Sequence, residues 1–225
     1  MLHPRADQKR DVAGKAVSPK VDHGGGSVIS PDYFSPYIDG AVNGTTILRQ
    51  PGSSIKPITY AAAFADGTMT PASVVLDVRT AFTTREGTPY LPLNYDLVFH
   101  GPVRLREALA SSYNVAAVRV LDTIGINTMT NLARAMGITT FDDPERLGLA
   151  VTLGGGEVRL VELSAAYAAL ANGGHAVTPW AVRRVSNAEG KPLWSHPCAD
   201  QTRCMGSRVL NARAAYLISD ILSDD

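Results

Sequence analysis

A hydroxyl and an amine three positions apart, Ser53 and Lys56 in the run Ser53-Ser54-Ile55-Lys56, have a spacing that permits chemistry. On a helix, positions i and i+3 are surface neighbours, so the lysine amine stands one turn from the serine hydroxyl. A serine hydroxyl is a weak nucleophile until a nearby base takes its proton. Lysine can be that base when burial and neighbouring groups lower its pKa towards neutrality. Helix N-terminal amides also favour negative charge, which assists a developing oxyanion. Taken alone, the spacing also fits an N-capping serine with an exposed lysine, the commoner arrangement. A second run, Ser112-Tyr113-Asn114, falls at a break between two helical stretches. A serine and an asparagine two apart on a loop can point into one cleft, the hydroxyl relaying a proton and the amide hydrogen-bonding a peptide. Alone, it fits an ordinary polar loop that interrupts a helix, the commoner arrangement.

These runs need elements to hold them. A helix is expected from Ser53 or Ser54 through Phe64, with Pro57 tolerated in its first turn because the first amides lack intrahelical acceptors. Upstream, residues 31–51 are turn-rich, with a tight-turn signal at Asn43-Gly44. Residues 68–102 hold short extended pieces such as Ser73-Val74-Val75-Leu76, joined by Pro, Gly and Asn turns. Helical patterning is expected over 103–111, again over 115–121, and then over 127–136 and 161–172, with Gly125, Gly137 and Gly173-Gly174 as stops. A hairpin is expected from strands 181–185 and 191–194 around Asn187-Ala188-Glu189-Gly190, and a last helix from 211 to 222. Long helices among few, scattered strands give an α+β class.

The bulk composition narrows the field. A chain of 225 residues, 45% apolar and 19% charged, suits one medium-sized globular domain. The charges cancel to zero, so nothing points to nucleic acid or an anionic membrane surface as partner. No apolar run is long enough to cross a bilayer, and the N-terminal stretch lacks the apolar segment of a secretory signal. Residues 1–26 are polar, aperiodic and end in three glycines; they read as a disordered leader or boundary scar, with the folded part spanning 27–225. Cys198 and Cys204 could close a small disulfide loop in an oxidising compartment or remain free thiols. With His196 they make only three ligands at no common zinc spacing, so neither metal nor cofactor is expected.

Ser-x-x-Lys and Ser-x-Asn, with Lys-Thr-Gly as a third element, are together the signature of penicillin-binding proteins and class A β-lactamases. The flanking blocks also resemble the bifunctional (class A) penicillin-binding proteins, particularly their 1C-type members. These blocks are Asp39–Gly44, Arg49–Tyr60, Leu105–Ala117 and Leu153–Asn172, and they occur in the family's order. The resemblance implies a partial transpeptidase fold of the penicillin-binding protein and β-lactamase type, mostly helical with an incomplete antiparallel sheet. It implies that Ser53 attacks the D-Ala–D-Ala carbonyl of a peptidoglycan stem peptide and that Lys56 deprotonates it. Ser112 would pass a proton to the leaving nitrogen, and Asn114 would anchor the substrate backbone. β-Lactams would acylate the same serine. The working compartment would be the periplasmic side of a bacterial inner membrane. The Leu153–Glu157 turn is expected to be structural, without chemistry.

This sequence departs from the family's pattern in three ways. No Lys-Thr-Gly follows Asn114, the polar leader stands where two opening strands are usual, and neither a membrane anchor nor a glycosyltransferase domain is present. The expectation is a domain cut at both ends, with unpaired sheet edges and poor solubility or loose packing. The alternatives are a catalytically silent penicillin-binding fragment or a serine β-lactamase-like protein.

Overall fold

A computed structural model of the chain describes residues 20–22, 34, 43–84, 87–199 and 206–224. Among them, 20–22 and 179–199 belong to one compact unit and the remainder to a second. In chain order the strands are β1 (Lys20–Asp22), β2 (Leu48–Arg49), β3 (Val74–Asp77), β4 (Phe82–Thr83), β5 (Pro89–Tyr90), β6 (Gly101–Arg104), β7 (Val158–Arg159), β8 (Arg184–Ser186) and β9 (Pro192–Ser195). The helices are α1 (Lys56–Ala65), α2 (Leu105–Ala110), α3 (Asn114–Ile124), α4 (Ile126–Ala135), α5 (Pro144–Leu147), α6 (Leu160–Ala171) and α7 (Ala212–Ile221). All strand pairs are antiparallel: β1-β8-β9 in the smaller unit, and β2-β7, β3-β6 and β4-β5 in the larger. The class is α+β, as expected.

The larger unit is built around α1. Every residue from Lys56 to Phe64 is buried, the mark of a helix enclosed on all sides. Small residues are plentiful where it contacts its neighbours: α1 buries Ala61, Ala62 and Ala63, and α3 and α7, which both pack on it, bury Ala116 and Ala117 and Ala214 and Ala215 respectively. Larger side chains fill the space between, with Tyr60, Ile58, Leu105, Leu121, Met129, Ile138 and Ile218 each fully buried.

Two segments differ from the sequence expectation. Helix was expected from Val103, but Gly101–Arg104 forms β6 against β3 and the helix starts only at Leu105. The reason is burial: Val103 alternates with exposed Pro102 and Arg104, which inserts one apolar side chain into the core from an extended chain. Within the stretch read as a leader, Lys20–Asp22 is instead a strand paired with β8, which gives the β8-β9 hairpin a second partner; the rest of 1–26 lies outside the described residues. The hairpin itself forms where expected, its turn closed by bonds from Gly190 N–H to Asn187 O and from Lys191 N–H to Asn187 Oδ1. Cys198 is disulfide-bonded; the chain's other cysteine, Cys204, lies outside the described residues.

Candidate active site

Ser53 sits in a 3-10 turn, Gly52–Ile55, that leads directly into α1. Its side chain is exposed, whereas Lys56, whose backbone N–H donates to Ser53 O, is fully buried. The turn is anchored on both flanks. Ser54 Oγ donates to Pro51 O at 2.6 Å, and Tyr167 of α6 donates its hydroxyl to Ser54 O at 2.8 Å. Behind the turn, Gly154 presses its backbone against Gly52: a Cβ on Gly154 would lie 2.3 Å from Gly52 N and 2.5 Å from Gly52 Cα. Gly154 also has φ +90°, so glycine is required there twice over. The Leu153–Glu157 block therefore shapes the turn that carries Ser53, a role that its spacing alone did not signal.

Ser112-Tyr113-Asn114 links α2 to α3. The end of α2 is a Schellman motif: Tyr113 N–H donates to Ala108 O at 2.9 Å and Ser112 N–H to Leu109 O at 3.1 Å. The motif wants glycine at the left-handed position, yet Ser112 occupies it with φ +58°. That conformation costs a non-glycine residue about 1–2 kcal/mol.

These two segments meet at the lysine. Lys56 Nζ donates to Ser112 O at 2.6 Å, to Ser112 Oγ at 3.0 Å and to Asn114 Oδ1 at 2.7 Å. An ammonium has three N–H groups, and all three find oxygens here. Burial lowers the Lys56 pKa from 10.5 to about 8. Ser53, expected within hydrogen-bond reach of this amine, makes no side-chain bond to it among the described residues; the lysine is drawn to the 112–114 turn because a buried ammonium needs every donor satisfied. On losing a proton, the amine keeps two donors and gains a lone pair, which is what a base at this position requires.

The site has a further layer that the sequence reading missed. Asn114 Nδ2 donates to Leu93 O at 2.8 Å, which brings the 91–99 segment to the edge of the site. There Arg79, Leu91, Pro92, Leu93 and Phe99 line a cavity of about 340 Å³. Asp77, Asn94 and His100 lie behind the turn in a connected hydrogen-bond set. Scattered singly over a turn-rich stretch, these residues carried no spacing signal. Among the described residues, no cluster of three or more His, Cys, Asp or Glu is placed to hold a metal, and no helix is long and apolar enough to cross a membrane.

Comparison with known proteins follows the same residues. Residues 31–225 match the family described as "Penicillin binding protein transpeptidase domain". The chain is 36% identical over 147 residues to penicillin-binding protein 1A of Pseudomonas aeruginosa, covering 65% of this chain and 18% of that protein. It is 30% identical over 188 residues to the 1A protein of Neisseria lactamica, covering 80% of this chain and 22% of that one. In structure it is similar to penicillin-binding protein 1A from Haemophilus influenzae, with TM-score 0.70 and 27% identity over 83% of this chain and 31% of that chain. The fold is also that of penicillin-binding protein A from Mycobacterium tuberculosis in its imipenem acyl-enzyme complex, TM-score 0.67 at 22% identity over 80% of this chain and 44% of that one. The chain thus spans roughly a fifth to a quarter of the length of these curated relatives. The curated relatives named here, and the Haemophilus influenzae structure, are 1A-type proteins; the likeness to 1C-type members rests on the flanking blocks alone. With both motifs converging on one buried lysine and the match running over 31–225, the chain belongs to the penicillin-binding protein transpeptidase domain family.

Proposed function

We propose that this chain carries the acyl-transfer site of a D,D-transpeptidase acting on peptidoglycan stem peptides. The observation that carries the reading is the buried Lys56 amine, held by both Ser112 and Asn114 one turn from Ser53, with its pKa lowered to about 8. An amine in that range is partly neutral near physiological pH and so can accept a proton without costly activation.

In the first half-reaction Ser53 Oγ attacks the carbonyl between the two terminal D-alanines while its proton passes to Lys56 Nζ. The tetrahedral intermediate collapses by breaking the C–N bond, and the leaving nitrogen takes a proton from the Lys56–Ser112 pair. This leaves an acyl ester on Ser53 and releases D-alanine. An amine from a second stem peptide then attacks the ester carbonyl, the C–O bond to Ser53 breaks as a new amide forms, and the amine's proton passes through the same pair to Ser53 Oγ. Asn114 hydrogen-bonds the substrate backbone. A β-lactam follows the first half-reaction but keeps its leaving group tethered, so its ester persists. The acyl-enzyme of the Mycobacterium tuberculosis relative supports the β-lactam part by analogy of fold.

The test is labelling with a fluorescent penicillin, compared with Ser53→Ala on a denaturing gel. Stable label that needs Ser53 is expected. Rapid release of the label would favour a β-lactamase, and absence of label a silent fragment. Label that survives Ser53→Ala would mean a different nucleophile.

A further inference from the structure

Asn94 belongs to no helix or strand, yet it is only 3% exposed. Its Nδ2 donates to Asp77 Oδ2 at 2.8 Å, to Asp77 Oδ1 at 3.0 Å and to Val98 O at 2.8 Å. Its Oδ1 accepts from Asn114 N–H at 2.7 Å and from Val115 N–H at 3.3 Å. Only acceptors face the nitrogen and only donors face the oxygen, so the amide has one possible orientation. The first amides of a helix have no intrahelical acceptors, and Tyr113, the residue at the N-cap of α3, supplies no side-chain cap. Asn94 provides it from 20 positions upstream.

The other end of this amide is held just as firmly. Asp77 is fully buried, and its Oδ2 also accepts from His100 N–H at 2.9 Å and lies 2.7 Å from His100 Nδ1. His100 in turn stacks on Tyr113, with ring centroids 3.9 Å apart and planes 12° from parallel. The central residue of the 112–114 turn is thus gripped by its ring, and the residue after it by its backbone, from one frame. That turn supplies all three oxygens around Lys56 Nζ.

We propose that Asn94 is a positioning residue for acylation: locked by Asp77, it fixes the start of α3 and thereby the oxygens that hold Lys56. The inference rests on the acyl-transfer reading of the site. It separates Asn94 from an ordinary helix cap, whose loss lowers stability without a specific effect on the lysine.

The decisive substitution is Asn94→Asp. It keeps the shape and the acceptor that caps α3 but sets a second carboxylate against Asp77 in place of a donor. Combining it with Asp77→Asn restores one donor and one carboxylate across the same contact. Three quantities are read on the full chain: the rate of Ser53-dependent penicillin labelling, the titration midpoint of the Lys56 amine by side-chain NMR, and thermal unfolding. The single substitution is expected to slow labelling at least tenfold and to raise the Lys56 midpoint as water reaches the amine, with both partly recovered in the combined variant, where only Val98 O still lacks its donor. Labelling at the wild-type rate with an unmoved midpoint overturns the proposal. So does a loss that the combined variant fails to recover. If the wild-type chain takes no label, the acyl-transfer reading fails, and the Lys56 midpoint alone then decides the positioning role by the same shift and recovery. Should Asn94→Asp not fold, Asn94→Ser is read in the same way, since it shortens the bridge without adding charge; an unmoved midpoint there overturns the proposal.

Discussion

Ser112 holds a conformation that its own backbone disfavours. At φ +58° it stands in the glycine slot of the motif that ends α2. The conformation persists because carbonyl and hydroxyl of the same residue both reach Lys56 Nζ. Ser112→Gly relieves about 1–2 kcal/mol of left-handed strain but removes a hydrogen bond to a buried ammonium worth about as much, so unfolding stability should change by no more than about 1 kcal/mol while penicillin acylation slows at least tenfold. Ser112→Ala loses the same bond without relieving the strain and should be the less stable of the two by denaturant titration; equal stabilities would contradict the account of strain. Lys56 makes a second prediction at this scale. Acylation should rise with pH along a limb centred near 8, where the amine becomes neutral. Stability should move the same way. The folded pKa lies below the unfolded value of 10.5, so between the two the unfolded chain binds the extra proton and stability climbs as pH increases. Below about 8 both states are charged, and the full cost of burying the ammonium applies. Denaturant midpoints measured from pH 7 to about 9.5, under the ordinary range of tyrosine titration, should increase in the wild type and stay flatter in Lys56→Met. That Lys56, Ser112 and Asn114 share one place was legible from spacing plus the order of motifs. The direction of the Lys56 side chain was not, because spacing along a helix cannot tell which of two neighbouring oxygens is the better acceptor.

At the scale of elements, the turn bearing Ser53 depends on a contact between two backbones. Gly154→Ala would drive a methyl into Gly52 N and Cα besides straining a φ of +90°. Gly173→Ala is a control, since Gly173 has φ +65° with open space around its missing side chain. Gly173→Ala should lose roughly 1–2 kcal/mol of stability from backbone strain and Gly154→Ala more, because of the added clash; only Gly154→Ala should also slow penicillin labelling of Ser53 markedly. Equal labelling rates in the two variants would show that the Gly52 contact does not shape the site. Helices α1, α3, α4, α6 and α7 lie within a few residues of their expected positions, because apolar periodicity and glycine stops report them directly. The strand at Gly101–Arg104 was hidden because its one buried valine reads equally well in a helical stripe. The short pairs β2-β7 and β4-β5 were hidden for another reason: two residues cannot display a period.

Over the whole molecule, the larger unit has a continuous interior alongside exposed apolar surface. Tyr60, Phe141, Ile58, Leu121 and Ile221 are almost completely enclosed, and Arg106 ties α2 to α7 through Asp220 and to the segment after it through Asp224. Outside, Val74, Leu76, Leu97 and Tyr216 remain open to solvent, with Tyr216 67% exposed on the outer face of α7. The expected behaviour is one cooperative unfolding transition for this unit together with concentration-dependent association, which Tyr216→Lys should reduce. A broad melt without a near-ultraviolet signal would contradict the first half, and unchanged sedimentation of the variant the second. The family was legible because its motifs follow one another in order. The grouping of 20–22 with 179–199 was not, because it pairs segments more than 150 positions apart.

The oxygens that hold the Lys56 amine come from residues 56 and 58 positions along the chain. No local stretch can assemble that arrangement, so the proposed acyl transfer requires α1 and α3 to have docked. Penicillin labelling would then gauge native structure: in a denaturant series, the fraction of molecules that take the label should track the fraction folded, molecule for molecule.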